Sequence, residues 1–144
     1  MARLMSIDYG EKRIGIAISD PLKLFANPLQ TIQNNSEKNA LLLISGIIKQ
    51  YDVEKVIVGL PLNLEGMDTK KTLQVRKFFD KLSKRIEIPS VLYDERYSTS
   101  DAREYLAEKG LSIMQSRKII DQIAAAVILR NFIEFNRKNE NIVT

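Results

Sequence analysis

The chain has 144 residues, 44% of them apolar and 28% charged, with 6 Gly and 4 Pro, a composition that suits one globular domain able to bury roughly 68–70% of its unfolded surface. It contains no Cys and no His, which excludes disulfides, thiolate and imidazole metal sites, and every histidine-dependent base or nucleophile system. Any bound metal must therefore sit among oxygen donors, which favour Mg²⁺ or Mn²⁺ over Zn²⁺, and the net charge of +4 is a mild excess compatible with a polyanionic partner.

In chain order, Leu4 to Asp8 and Arg13 to Ser19 predict two strands joined by a short turn at Gly10, a β-hairpin in which Ile14, Ile16 and Ile18 alternate with small residues. Pro21 to Ile32 reads as a loop followed by an edge strand at Leu29 to Ile32, since prolines are tolerated at a sheet edge. Ser36 is a candidate N-cap for a helix carrying Ala40, Leu41, Ile44, Ile47 and Ile48 on one face and ending near Tyr51. Lys55 to Gly59 is a short β-branched run, the pattern of a strand buried on both faces. A loop through Asn63, Glu65, Gly66 and Asp68 leads to a second helix, about Thr69 to Ile86. Ser90 to Tyr93 predicts a fifth strand, and Ser98 with Asp101 a capping box for a third helix that closes at Gly110. A fourth helix is expected from about Ser116 to Asn136. The result is an α/β domain over residues 1–136, with a hairpin-led set of three strands and two helical crossovers, followed by a C-terminal tail over 137–144. No apolar run approaches the ~18 residues of a membrane span, and Met1 to Ile7 do not read as a signal peptide, so a cytoplasmic protein without a membrane partner is expected.

Right-handed crossovers make the fourth and fifth strands parallel to the first, and ligands in open α/β sheets bind beyond the carboxyl ends of such strands. Asp8 ends the first strand and Asp94-Glu95 the fifth. Asp8 reads equally well as an Asx-turn residue, and Asp94 or Glu95 as a surface partner of Arg96 or Arg103. Asp121 shares a helix face with Ala125, Ile128 and Phe132, which places a carboxylate where core residues are expected. Such a carboxylate must pair with a base, be protonated or bind a cation. The small side chains of Ala124, Ala125 and Ala126 allow this helix close to the sheet, so that Asp8, Glu95 and Asp121 could form an all-oxygen cage for a divalent cation, suited to phosphodiester cleavage. Lys12, Arg13, Arg96, Ser98 and Thr99 are candidate phosphate contacts. The basic run Lys70, Lys71, Arg76, Lys77, Lys81, Lys84 and Arg85 reads as a solvated helix face.

Taken in order, Ser6-Ile7-Asp8-Tyr9-Gly10, Lys12-Arg13-Ile14-Gly15, Ser19-Asp20-Pro21, Val58-Gly59-Leu60-Pro61, Asp94-Glu95-Arg96 with Ser98-Thr99, and Ile120-Asp121 with Ala124-Ala125 resemble the YqgF family of pre-16S rRNA nucleases and Holliday junction resolvases. The resemblance runs from Leu4 to about Phe135. It implies a ribonuclease H-like fold, a five-stranded mixed sheet of three antiparallel and two parallel strands flanked by about four helices. It also implies Asp8, Glu95 and Asp121 as metal-binding catalytic acids holding Mg²⁺ or Mn²⁺, with Arg96, Lys12 and Arg13 on phosphate. Related junction resolvases carry a further acid on the last helix, where this sequence has Gln122, Ile123 and alanines, so one ion or two stays open.

The resemblance implies maturation of the 5′ end of small-subunit ribosomal RNA, with resolution of branched DNA and a non-catalytic RNA-binding or ribosome-assembly module as the alternatives. A monomer or weak homodimer is expected; junction resolution, which makes two symmetric cuts, needs the dimer. The Asp-x-Gly hairpin also resembles the phosphate loop of actin-like ATPases, but those close two such domains around a nucleotide and this length supplies one.

Overall fold

The computed structural model describes residues 2–97, 102–112 and 119–143. Its strands are β1 (Arg3–Asp8), β2 (Arg13–Ser19), β3 (Ala26–Gln33), β4 (Val53–Leu60) and β5 (Ser90–Asp94), joined in one sheet in the order β3-β2-β1-β4-β5. β1 pairs antiparallel with β2, and β2 with β3. β1 with β4, and β4 with β5, are parallel. The expected mixed sheet is therefore present, and β3, which carries Pro28, lies at its edge as the prolines required.

Helices α1 (Glu37–Gln50), α2 (Lys70–Arg85), α3 (Ala102–Lys109) and α4 (Ile120–Val143) flank the sheet. Strand alternation sends Met5, Ile7, Ile14, Ile16, Val56 and Val58 into one core with α1 and α2. Ala17, Ile57 and Tyr93 enter a second core with α3 and α4. The Ser36 hydroxyl caps α1 by accepting the Asn39 N–H, as its position suggested.

Thr69 caps α2 in a reciprocal box with Thr72, and the buried Thr72 hydroxyl also donates to the Pro61 carbonyl. This fastens the start of α2 to the chain leaving β4. α3 ends at Gly110, whose φ of +67° suits a glycine helix terminator. The expected starts of the last two helices, at Ser98 with Asp101 and at Ser116, lie outside the described residues. α4 continues past Asn136 to Val143, further than the apolar periodicity suggested.

α4 rests almost backbone to backbone on the sheet. The Ser6 hydroxyl on β1 donates to the Ala125 carbonyl at 2.6 Å, and Ala125 and Ala126 are fully buried. A Cβ placed on Gly15 would stand 1.8 Å from the Asp121 carbonyl oxygen, so only glycine in β2 permits this approach. On the far side of α4, Tyr105 donates to the Ala26 carbonyl at 3.0 Å, and Arg130 is paired with Glu108. These contacts tie α3 and α4 to the same face. Among the described residues, no helix is long and apolar enough to cross a membrane.

Candidate active site

Asp8 is the last residue of the central strand and stands opposite Gly15 in the β1–β2 ladder. It alternates with Ser6, so its side chain belongs to the sheet face that α4 covers. Burial pushes its carboxyl up to about 6; the positive charge of Lys71 acts against this, and Asp121 adds to it.

Glu95 follows β5 directly, in a short 3₁₀ turn over Glu95–Tyr97. Its carboxyl folds back over β4, where a Cβ on Gly59 would lie 3.2 Å from the Glu95 carboxyl carbon and 2.5 Å from Ile128 Cδ1. Gly59 thus leaves the space that Glu95 occupies, one strand from Asp8. Burial, and after it the charge of Asp8, pushes Glu95 up to about 7, while Lys71 opposes and Asp94 adds. Two partly desolvated carboxylates, the first of which raises the proton affinity of the second, form a site short of positive charge.

Asp121 enters from the first turn of α4. Of the partners its core-side position demanded, a base is present: Arg13 Nε donates to Asp121 Oδ2 at 2.9 Å, with the arginine about half exposed. Folding therefore brings Asp8 within electrostatic reach of both Asp121 and Glu95, from distant parts of the chain. Among the described residues, however, no three carboxylates stand close enough to enclose one ion as the side chains lie.

The candidate phosphate contacts divide. Lys12 and Arg13 line a cleft of about 530 Å³ together with Tyr9, Lys70, Lys71 and Asp121. Arg96 is held by Asp94 through a bidentate contact, Nη2 to Oδ2 at 2.7 Å and Nε to Oδ1 at 3.1 Å, the surface pairing weighed for Asp94. The Arg96 guanidinium packs over Gly66, whose φ is +81°. Ser98 and Thr99 lie outside the described residues. Asp20 accepts the N–H groups of Leu22, Leu24 and Phe25 and shapes the β2–β3 loop, a structural role.

Three residues have a part in the site that the sequence reading does not give them, although two of them stand in its motifs. Gly15 and Gly59 matter through side chains they lack, which only packing reveals. Lys71 sits in what looked like a solvated basic face, yet its charge reaches both Asp8 and Glu95. One signal was legible: α2 has no acid in its first turn, where acids are favoured, and two lysines instead.

A mixed sheet in this order, flanked by helices on both faces, is the ribonuclease H-like fold. The fold is shared with T. thermophilus RuvC in complex with a Holliday junction substrate, at TM-score 0.58 and 14% identity over 96% of each chain. It is also shared with the yeast mitochondrial Holliday junction resolvase, at TM-score 0.61 and 11% identity over 97% of this chain and 81% of that one.

Within that class the chain belongs to the RuvX family, described as "Holliday junction resolvase", whose profile matches residues 2–135. Relatives include a "Putative pre-16S rRNA nuclease" of Halothermothrix orenii (strain H 168), 37% identical over 94% of this chain and 97% of its own length. Another of the same name from Roseiflexus sp. (strain RS-1) is 38% identical over 94% of this chain and 96% of its own length. The protein is a nuclease that cleaves phosphodiester bonds.

Proposed function

We propose that the substrate is precursor small-subunit ribosomal RNA, cleaved during maturation of its 5′ end, and that Asp8, Glu95 and Asp121 form the catalytic site with Mg²⁺ or Mn²⁺. The observation that carries this reading is the partly desolvated pair of Asp8, at the end of β1, and Glu95, just after β5, each pushed upward chiefly by burial against the opposing charge of Lys71. The names of the relatives supply the RNA.

The residues fit a divalent cation. All donors are carboxylate oxygens, hard ligands suited to Mg²⁺ or Mn²⁺, and a cation between Asp8 and Glu95 would offset the burial that raises both and the repulsion that adds to it at Glu95. Asp121 completes the set only by leaving Arg13, so Arg13 holds the third ligand in reserve. When bound, the ion supplies Lewis-acid stabilisation of charge on the phosphoryl oxygens.

The chain's own groups do the rest. Asp8, at the end of β1, and Glu95, in the turn that follows β5, would hold the ion. Arg13, once exchanged from Asp121 to a phosphate oxygen, and Lys12 beside it orient the scissile phosphate. Asp121, freed by that exchange, aligns a water and takes its proton as the new O–P bond forms and the P–O bond to the leaving oxygen breaks, that oxygen gaining a proton from solvent. Arg96, fixed by Asp94, presents its charge at the neighbouring sheet edge.

The test is cleavage of a 5′-extended 16S rRNA fragment in Mg²⁺ by wild type and by Asp8→Asn, with a four-way DNA junction assayed in parallel. Wild type should trim the RNA, and Asp8→Asn should lose all measurable cleavage while melting as a folded protein. Cleavage of the junction alone would transfer the assignment to branched DNA, the activity in the family's description. RNA binding without cleavage by either protein would leave a binding module.

A further inference from the structure

Four basic side chains, Lys12 and Arg13 from the hairpin and Lys70 and Lys71 from α2, converge on the cleft beside Asp8 and Asp121. The hairpin and α2 meet there because Gln74 donates to Glu11 and Tyr9 stacks on Phe78 at 4.4 Å. The cleft is thus walled on both sides by ordered elements.

The basic residues of α2 fall into two groups. Arg76 is paired with Asp68, Lys81 with Glu37 and Lys84 with Asp80. Lys70, Lys71, Lys77 and Arg85 form no salt bridge among the described residues, and of these four Lys70 and Lys71 line the cleft. They occupy the first two helical positions after the Thr69 cap, where the macrodipole makes positive charge unfavourable. Local helix stability therefore does not explain them. Placed there, two lysines and the helix N-terminus add their positive potential at the mouth of an acidic site that must admit a polyanion.

We propose that Lys71 is a substrate-contacting residue, its ammonium binding a backbone phosphate of RNA on the α2 side of the cleft, opposite Lys12 and Arg13. The proposal deepens the nuclease reading and rests on it. Lys71 is the member of the lysine pair whose charge already reaches both Asp8 and Glu95. A phosphate drawn between it and a cation held by those acids is bound from both sides. Its long flexible stem allows the contact to be made from an exposed position.

The contact has a signature separate from activity, because each phosphate neutralised releases counterions and contributes about 0.7 to the slope of log K against log salt for single strands. Binding of a fluorescently labelled single-stranded RNA oligonucleotide is measured by anisotropy across a KCl series without divalent cations, in an Asp8→Asn background that cannot cleave. Adding Lys71→Met should weaken binding at low salt and lower the slope by about 0.7. Lys71→Arg should restore both, and Lys77→Met, on the same helix away from the cleft, should leave the slope unchanged.

An unchanged slope in Lys71→Met, with thermal stability altered instead, would overturn the contact and leave Lys71 as a charge balance for the acids. An equal loss in Lys77→Met would overturn it as a mere effect of net charge. RNA binding by the Asp8→Asn parent that shows no salt dependence, or none at all, would sink the contact and the RNA substrate together. Intact parental binding with an unaffected Lys71→Met would sink only the contact.

Discussion

At the scale of single residues, the site is governed by what burial does to charge. Asp8 and Glu95 hold protons to about pH 6 and about pH 7, well above their unfolded values near 4. Between those limits the folded, metal-free protein binds more protons than the unfolded chain, so its stability falls as pH rises from about 4 to 7 and the loss is complete above. Each group contributes on the order of a few kcal/mol to this slope. Urea unfolding in chelator across that range should show the decline, and Asp8→Asn should flatten it by removing one desolvated charge and the repulsion on the other. A stability that instead rose through the window would mean that neither carboxyl is desolvated. Asp8, Glu95 and Asp121 were each legible as candidates because acids at strand ends and on an apolar helix face are conspicuous. Lys71 was hidden in a basic run in which Arg76, Lys81 and Lys84 are ordinary surface partners, and only the fold separates them.

At the scale of elements, the decisive contact is α4 against β1 and β2, because it carries Asp121 to the strand ends. That approach depends on Gly15, where any side chain would collide with the Asp121 backbone, and on the Ser6 bond to the Ala125 carbonyl. Gly15→Ala should destabilise the protein by about 3 kcal/mol or more in denaturant titration, since neither backbone can yield cheaply. Gly46→Ala, on the exposed face of α1 with open space around it, should stabilise by roughly 0.5–1 kcal/mol. Equal, small effects at both glycines would mean that α4 is not seated as described. The alanines at 124–126 announced a close-packed helix, but the sequence did not say which strand residue made room for it. The strands and the crossovers were readable because period-two alternation and β-branched runs report a sheet directly. The extension of α4 beyond Asn136 was not, since that segment is polar and carries no apolar period.

For the whole molecule, net positive charge, a shared strand edge and the RuvX family membership describe one machine that joins polyanion binding to an acidic centre. A cation that binds only the folded protein raises its melting temperature by linkage. Millimolar Mg²⁺ should therefore shift thermal unfolding upward more at pH 8 than at pH 5, where protons occupy Asp8 and Glu95. A shift of the same size at both values would place the ion elsewhere. The sequence alone determined the chemistry available: without His or Cys, a metal could be ligated only by oxygen donors, and hydrophobic period with caps and prolines specified the strands, most of the helices and their order. Tertiary structure decided which charges meet. Distances between residues more than a hundred positions apart depend on how backbones nest, and that nesting is set at Gly15 and Gly59 by atoms that are not there.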